Sequence, residues 1–356
     1  MGGELVEMDA KFPDNPEILK AISKIDQFRS IWAGGTPVPP QNLAAMRTTA
    51  RIQSVAASCR IAGTRVSEDE VAAILTGAAA PSPGSEEIEG YATAIDRSFP
   101  AAGPIATFDE LAALNAIVVG RPGNPPPQSV LRETPLHLEV FDPQGRAMGR
   151  VLQTLPPRLL RDKIEDLVSW LELELRGGAS HPVLVAGTFF IYFTSISPFD
   201  KGNGRTARVI LPHLLRRSGY GFVDYSSLEH VFDEMRFAYY DAIDDAETKI
   251  WTDESDTTPW ISFFVGSLQA VAMRLQSKVD MESRARELPP LQRAILDTIR
   301  ENGTGAAALL MAMTGANRNT LKDNLRRMVE RGLLERIGSK RGTIYRLSID
   351  EPDAQG

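Results

Sequence analysis

Ser197-Pro198-Phe199-Asp200-Lys201-Gly202-Asn203-Gly204-Arg205-Thr206-Ala207-Arg208 lies between two apolar segments. Upstream, Val183 to Phe193 reads as a buried helix; downstream, Val209 to Leu215 reads as a second one. The join holds two glycines around an asparagine. Gly202 and Gly204 are free to take positive φ, and Asn203 tolerates it better than most residues. Such a turn aims consecutive backbone N–H groups at one point. The helix that follows adds its own unpaired amides and the positive end of its dipole. Arg205 and Arg208, three apart, share one helix face. Guanidinium forks beside an amide nest suit phosphate oxygens. Gly-Asn-Gly alone is equally compatible with a plain helix cap and two solvated arginines.

The whole string resembles the signature of the Fic family, His-Pro-Phe-x-(Asp/Glu)-Gly-Asn-Gly-Arg-x-x-Arg. Pro198, Phe199, Gly202, Asn203, Gly204, Arg205 and Arg208 match in place. Ser197 stands where the family has its catalytic histidine, Lys201 stands at the metal-binding carboxylate, and Asp200 comes one place early. The resemblance implies a mainly α fold, a Fic helical core with a small β-hairpin flap. It implies ATP as substrate or ligand and transfer of AMP to a hydroxyl of a target protein. Phe199, Lys201, Gly202, Asn203, Gly204, Arg205 and Arg208 would form the phosphate and nucleotide site, with Ser197 at the catalytic position. A serine hydroxyl is not basic at neutral pH, and loss of a general base costs about 10²–10⁴-fold. Lys201 would repel Mg²⁺, so no metal ligand is assigned. Two functions from different classes stay open. One is an AMP transferase of weakened or lost activity; the other is a non-catalytic nucleotide-sensing or DNA-binding regulator.

Composition bounds the rest. The chain has 356 residues, of which 43% are hydrophobic, so a real core is expected. A formal charge of −7 argues against a protein that coats nucleic acid uniformly. Cys59, the one cysteine, excludes a disulfide framework. His137, His181, His213 and His230 lack metal-ligand spacing. No apolar run reaches spanning length, and the N-terminal region, with Glu4, Glu7 and Asp9, lacks a signal-peptide pattern. The expectation is a cytoplasmic protein with no membrane partner.

Taken in order, helical patterns cover Pro16–Trp32 and Gln41–Ile61, and Gly63 is placed to end the second. Ser67 and Glu70 form a capping box before Glu68–Leu75. Many Fic proteins carry an N-terminal inhibitory helix, (Ser/Thr)-x-x-x-Glu-(Gly/Asn), whose glutamate pairs with the second arginine of the signature. Ser58, Ala62 and Gly63 fall at its positions, with Ala62 in place of the glutamate; an ordinary helix end fits the same residues. Helices follow over Glu86–Phe99 and Thr107–Val118. Alternation over Leu136–Phe141 and Met148–Leu152, around a Pro/Gly turn, predicts a hairpin. By resemblance Glu139, Val140 and Phe141 belong to a flap that docks the target's extended segment; a small hairpin that merely packs a loop is equally compatible. Helices over Pro157–Arg176, Ser227–Ala246 and Trp260–Val279 complete the core, with Tyr239 and Tyr240 taken as packing. The domains expected are an N-terminal helical region (1–94), a Fic domain (95–282) and a third (285–350).

That third domain differs in charge. Residues 286–346 hold 12 Lys/Arg against 6 Asp/Glu, a net of +6 that leaves −13 for the remainder. Three helices, Leu291–Asn302, Ala306–Thr314 and Arg318–Arg331, precede a strand, a basic turn and a strand. The order resembles a winged helix-turn-helix. Arg318, Asn319, Lys322 and Arg326 would lie on the recognition helix, with Lys340 and Arg341 in the wing. Duplex DNA is one partner that fits; a docked protein or a second copy of the chain, giving a homodimer, is the other.

Overall fold

The computed structural model describes residues 12–79, 84–97, 107–120, 129–141, 146–153, 155–247, 250–251, 255–286, 288–338 and 343–348. The chain divides into two compact units, Met1–Gly35 with Pro40–Leu275, and Thr36–Pro39 with Gln276–Gly356. In the first come helices α1 (Pro16–Ala33), α2 (Pro40–Ile61), α3 (Glu68–Leu75), α4 (Ser85–Asp96) and α5 (Phe108–Val118). A hairpin follows, β1 (His137–Phe141) and β2 (Ala147–Gln153). Then come α6 (Leu160–Gly177), α7 (Pro182–Ile196), α8 (Asn203–Arg217), α9 (Leu228–Glu234), α10 (Arg236–Glu247) and the first part of α11 (Thr258–Arg286).

Local chemistry fixes several of these ends. Ser67 and Glu70 close the expected capping box on α3, and Thr107 and Glu110 close another on α5. Every residue of α7 after Pro182 is buried. A helix that is apolar on all sides has to be central, because no face of it can meet water. Gly187 lets it touch α11: a Cβ there would stand 2.6 Å from Cδ1 of Phe264. Trp260 lies against the same spot, donating Nε1–H to the Gly187 carbonyl at 2.7 Å and stacking on Phe190 at 4.3 Å. The N-terminal helices share this core, which runs unbroken from Ile18, Ile22 and Ile25 through Val55 to Val185 and Phe264.

The structure departs from the sequence pattern in three places. The stretch expected as one helix over Ser227–Ala246 is two, broken at Met235, where φ is −103°. Arg236 turns back onto Asp233, which also accepts from Nε of Arg60 at 2.6 Å. This ion cluster sits where α9 ends and α10 begins. The helix expected from Pro157 begins as a 3₁₀ turn, Pro157–Leu159, before α6. The hairpin has the expected strands, antiparallel with His137 opposite Gln153, but a bulge interrupts its register between Glu139 and Phe141.

The second unit has its own core of Leu296, Ile299, Leu310, Leu321, Leu325 and Met328. It contains α12 (Pro290–Asn302), β3 (Gly305–Ala306), α13 (Ala307–Thr314), α14 (Arg318–Glu330), β4 (Leu334–Ile337) and β5 (Ile344–Leu347). The sheet order is β3-β5-β4, antiparallel throughout, with Leu334 opposite Leu347. β3 has only two residues, too few for any alternation to be read, and no pattern predicts it.

One buried acid gives the first unit a pH dependence. Both carboxylate oxygens of Glu247 are buried at the C-terminal end of α10. Burial, with the neighbouring Asp244, raises its pKa to about 8 against the lowering effect of Thr194. The folded chain thus holds this proton more tightly than the unfolded chain, so stability falls as pH rises from the usual carboxylate range through 8. Glu247→Gln is expected to raise the melting temperature at pH 9 by several degrees and to change it little at pH 5. Equal shifts at the two pH values in thermal melts would contradict this.

Candidate active site

The Gly-Asn-Gly turn opens α8 as its residues dictate. Gly202 is left-handed, φ 80°, and a Cβ there would stand 2.5 Å from Cγ1 of Val119, so both backbone and space require glycine. Asn203 is spent on the loop itself: its Nδ2–H donates to the Phe199 carbonyl at 2.6 Å and its Oδ1 accepts the Phe199 N–H at 2.9 Å. Phe199 is buried against Phe108 and Phe193 and anchors the loop to the core. From α5, Asn115 donates to the Lys201 carbonyl at 2.9 Å and to Thr206 Oγ1 at 3.1 Å, and is held by Ser129 at 2.7 Å. No side chain caps the first amides of α8, and no acidic residue lies in its first turn.

Ser197 ends α7 in the left-handed region, φ 44°, the one described non-glycine residue with positive φ. It is buried, and its Oγ–H donates to the Thr194 carbonyl at 2.6 Å. Its carbonyl accepts Nε–H of Arg132 at 2.7 Å. Arg132 also donates to the carbonyls of Ile196 at 3.3 Å, Thr134 at 2.8 Å and Leu155, while its own N–H donates to Pro198 O at 3.0 Å. Thr134 precedes β1 and Leu155 follows β2, so one buried guanidinium ties both feet of the hairpin to the end of α7.

Three cations stand at the start of α8. Arg205 donates NH1–H to Glu87 Oε2 at 2.7 Å, and Nζ of Lys201 lies 3.6 Å from the other oxygen. Burial alone would raise the Glu87 pKa; the hydrogen bond and charge of Arg205, with Lys201, hold it below the usual carboxylate value. Arg208 is buried and meets neutral groups. It donates to Ser58 Oγ at 2.8 Å, to the Ser58 carbonyl at 3.1 Å and to the Tyr239 hydroxyl at 3.2 Å. Among the described residues no carboxylate pairs with it. Ser58 thus makes the α2 contact to the arginine. Ala62 lies one turn later, exposed, just past the end of α2, and Gly63 takes φ 93° there.

Sequence reasoning placed Ser197, Phe199, Lys201, Gly202, Asn203, Gly204, Arg205 and Arg208 in one loop and helix start, and the structure gathers them there with Ser58. It did not find Glu87, Asn115, Arg132 or Tyr239. Glu139, Val140 and Phe141 lie in β1, away in sequence from this loop. In the second unit Arg318, Asn319, Lys322 and Arg326 are all exposed on α14, and Asn317 caps that helix, accepting the Thr320 N–H at 2.9 Å. Lys340 and Arg341 fall outside the described residues.

Comparison with known proteins agrees with this architecture. Residues 106–215 match the Fic/DOC family, and residues 289–348 match the C-terminal domain of DIP2311-like transcriptional regulators. Among solved structures, a Fic family protein from Desulfovibrio desulfuricans G20 is 21% identical with a TM-score of 0.59, over 97% of this chain and 98% of that one. Fic-1 from C. elegans is 20% identical with a TM-score of 0.58, over 74% and 73%. A Fic-domain-containing signaling protein from Bacteroides thetaiotaomicron VPI-5482 is 16% identical with a TM-score of 0.56, over 74% and 96%. The likeness is one of fold, which in this chain is mainly α. Residues 106–215 of this chain are therefore similar to the Fic/DOC family, and residues 289–348 to the C-terminal domain of DIP2311-like transcriptional regulators.

Proposed function

We propose that the Fic domain binds the phosphate chain of a nucleotide such as ATP, and that its capacity to transfer AMP to a protein hydroxyl is weak or lost. The carrying observation is the convergence of Lys201 and Arg205 on the single carboxylate of Glu87, beside the uncapped first turn of α8. Two cations and a helix N-terminus make an anion site, and the chain's own carboxylate fills it. A nucleotide has to displace Glu87 to enter. Against catalysis, Ser197 acts as a hydrogen-bond donor to Thr194 and offers no base. The donor set does not suit Mg²⁺ either: Lys201 occupies the carboxylate position, and Glu87 is already engaged by two cations.

Calorimetry with ATP tests the site. Glu87→Gln is expected to tighten binding about tenfold or more, since a charge-assisted pair is worth ~1.5–3 kcal/mol. Arg208→Ala is expected to weaken it several-fold. ATP affinity unchanged in both variants would remove the proposal. Intact-mass analysis after incubation with ATP and Mg²⁺ or Mn²⁺ is expected to show little AMP addition to the chain.

A second output is favoured by the basic unit. Four exposed polar or cationic side chains on α14, in a region of net charge +6, suit the phosphates and base edges of duplex DNA. Residues 285–350, with their own core, are expected to shift duplex DNA more strongly than the full chain, whose remainder is acidic. The affinity should fall steeply with salt, each phosphate contact contributing about −0.9 to the log–log slope. Arg318→Ala and Lys322→Ala should weaken it. No mobility shift at low salt would instead favour docking to a protein or a second copy.

A further inference from the structure

A cavity of about 540 Å³ opens further along α8, between α2, α4 and the C-terminal half of α8. Its wall carries five arginines, Arg47, Arg51, Arg97, Arg216 and Arg217. Three carboxylates, Asp96, Asp224 and Glu229, also line it, which leaves a formal surplus of two positive charges. This surplus stands out in a chain of net charge −7. His213, also on the wall, adds no charge at neutral pH, because burial and the flanking Arg216 and Arg217 push its pKa down to about 4.

Three of the arginines are held in place by ion pairs with the wall's own carboxylates. Arg51 forks onto Asp96 at 2.9 Å through Nε and 2.6 Å through NH2. Asp224 is shared by Arg47 at 3.2 Å and Arg216 at 3.5 Å. Glu229 is turned away into a buried network, accepting from Ser54 at 2.8 Å and Tyr91 at 3.2 Å. The remaining wall is apolar, with Ala50, Ile95, Val209, Pro212 and Val223. Ligand sites of this size combine an apolar surface with a few fixed polar groups. Preset guanidinium forks recognise phosphate in particular, through paired N–H donors.

We propose that this cavity is a second anion site, built for a small phosphorylated molecule with a flat or apolar body, of about nucleoside monophosphate size. The phosphate sits among the arginines at the α2 and α8 walls, and the body lies on Ala50, Val209 and Pro212. The site is separate from the Gly-Asn-Gly cradle. Along α2, Arg51 and Ser58 are seven residues apart, about 10 Å at the rise of an α-helix. The two sites therefore share α2, α4 and α8 yet have room for two ligands.

Calorimetry of the full chain with AMP, pyrophosphate and adenosine decides it. Arg205→Ala disables the cradle and is expected to leave AMP and pyrophosphate binding at one site. Arg51→Gln with Arg216→Gln is expected to weaken both at least tenfold, and adenosine is expected to bind at least tenfold more weakly than AMP. Should that double variant fail to melt cooperatively, Arg47→Gln, whose side chain is 60% exposed, serves in its place and is expected to weaken AMP at least threefold. The proposal is overturned if the Arg205→Ala protein binds neither AMP nor pyrophosphate. It is equally overturned if AMP affinity survives the arginine substitutions in protein that melts as the parent does. Failure of ATP to respond to Glu87→Gln would undermine only the cradle.

Discussion

Arg132→Met is expected to lower the melting temperature of the chain by on the order of 10 °C. Arg132 is 2% exposed, and its guanidinium donates to the carbonyls of Thr134, Leu155, Ile196 and Ser197. Methionine fills a similar volume but donates nothing. Four carbonyls, those of Ile196 and Ser197 buried and those of Thr134 and Leu155 partly so, then lose a charged donor at once, and each unsatisfied buried acceptor carries its own desolvation cost. Removing one member of a buried charged network typically costs about 3–5 kcal/mol, and each kcal/mol moves the melting point of a domain of this size by about 2–4 °C. The same change unties the hairpin, because Thr134 and Leu155 bracket β1 and β2. Amide exchange across 137–153 should therefore rise more than exchange in α7. Arg132→Lys keeps the charge but loses the fork and should recover only part of the loss. A melting point within 2 °C of the parent would show that the four carbonyls are satisfied in some other way.

The contrast between what the sequence disclosed and what it hid has a simple physical basis. Local chemistry was legible. Ser67 and Glu70 are three residues apart, and their capping box forms as read; Thr107 and Glu110, at the same spacing, close a second one. The run from Val183 to Phe193 has no polar face, so its burial follows from composition alone. The turn needs a glycine at position 202 because Val119 crowds it, and glycine is what the string supplies. The hidden features are tertiary. Glu87 meets Arg205 across 118 residues, and Arg132 meets Ser197 across 65. An isolated glutamate or arginine between helices carries no mark of such a partner. Tyr239 looked like packing because its ring is packed; its hydroxyl reaches Arg208 only after the chain breaks at Met235. That break has no proline or glycine to announce it. It depends on Asp233 collecting Arg60 from α2 and Arg236 from α10.

The triple variant Ser197→His, Lys201→Asp, Glu87→Gln is expected to gain AMP-transfer activity by about 10²–10⁴-fold over the unmodified chain. Histidine is among the residues that tolerate the left-handed backbone, so φ 44° at position 197 is no obstacle. The Thr194 carbonyl, which now accepts from Ser197 Oγ at 2.6 Å, can accept an imidazole Nδ1–H instead. That bond leaves Nε2 unprotonated and available as the base. Aspartate at 201 restores a carboxylate to the loop, but beside Glu87 it would put two negative charges at one site. Glu87→Gln removes that repulsion and also frees Arg205 for the phosphates. Phosphoryl-type transfer depends mainly on positioning and charge, which the turn, Arg205 and Arg208 are expected to supply. Labelling with α-phosphate-labelled ATP and Mg²⁺ measures the gain, and adding Arg208→Ala to the triple variant should abolish it. A folded triple variant that transfers no more label than the parent would mean that the cradle does not hold ATP in line. Rapid labelling by the unmodified chain would mean that Ser197 and Lys201 support the chemistry as they stand.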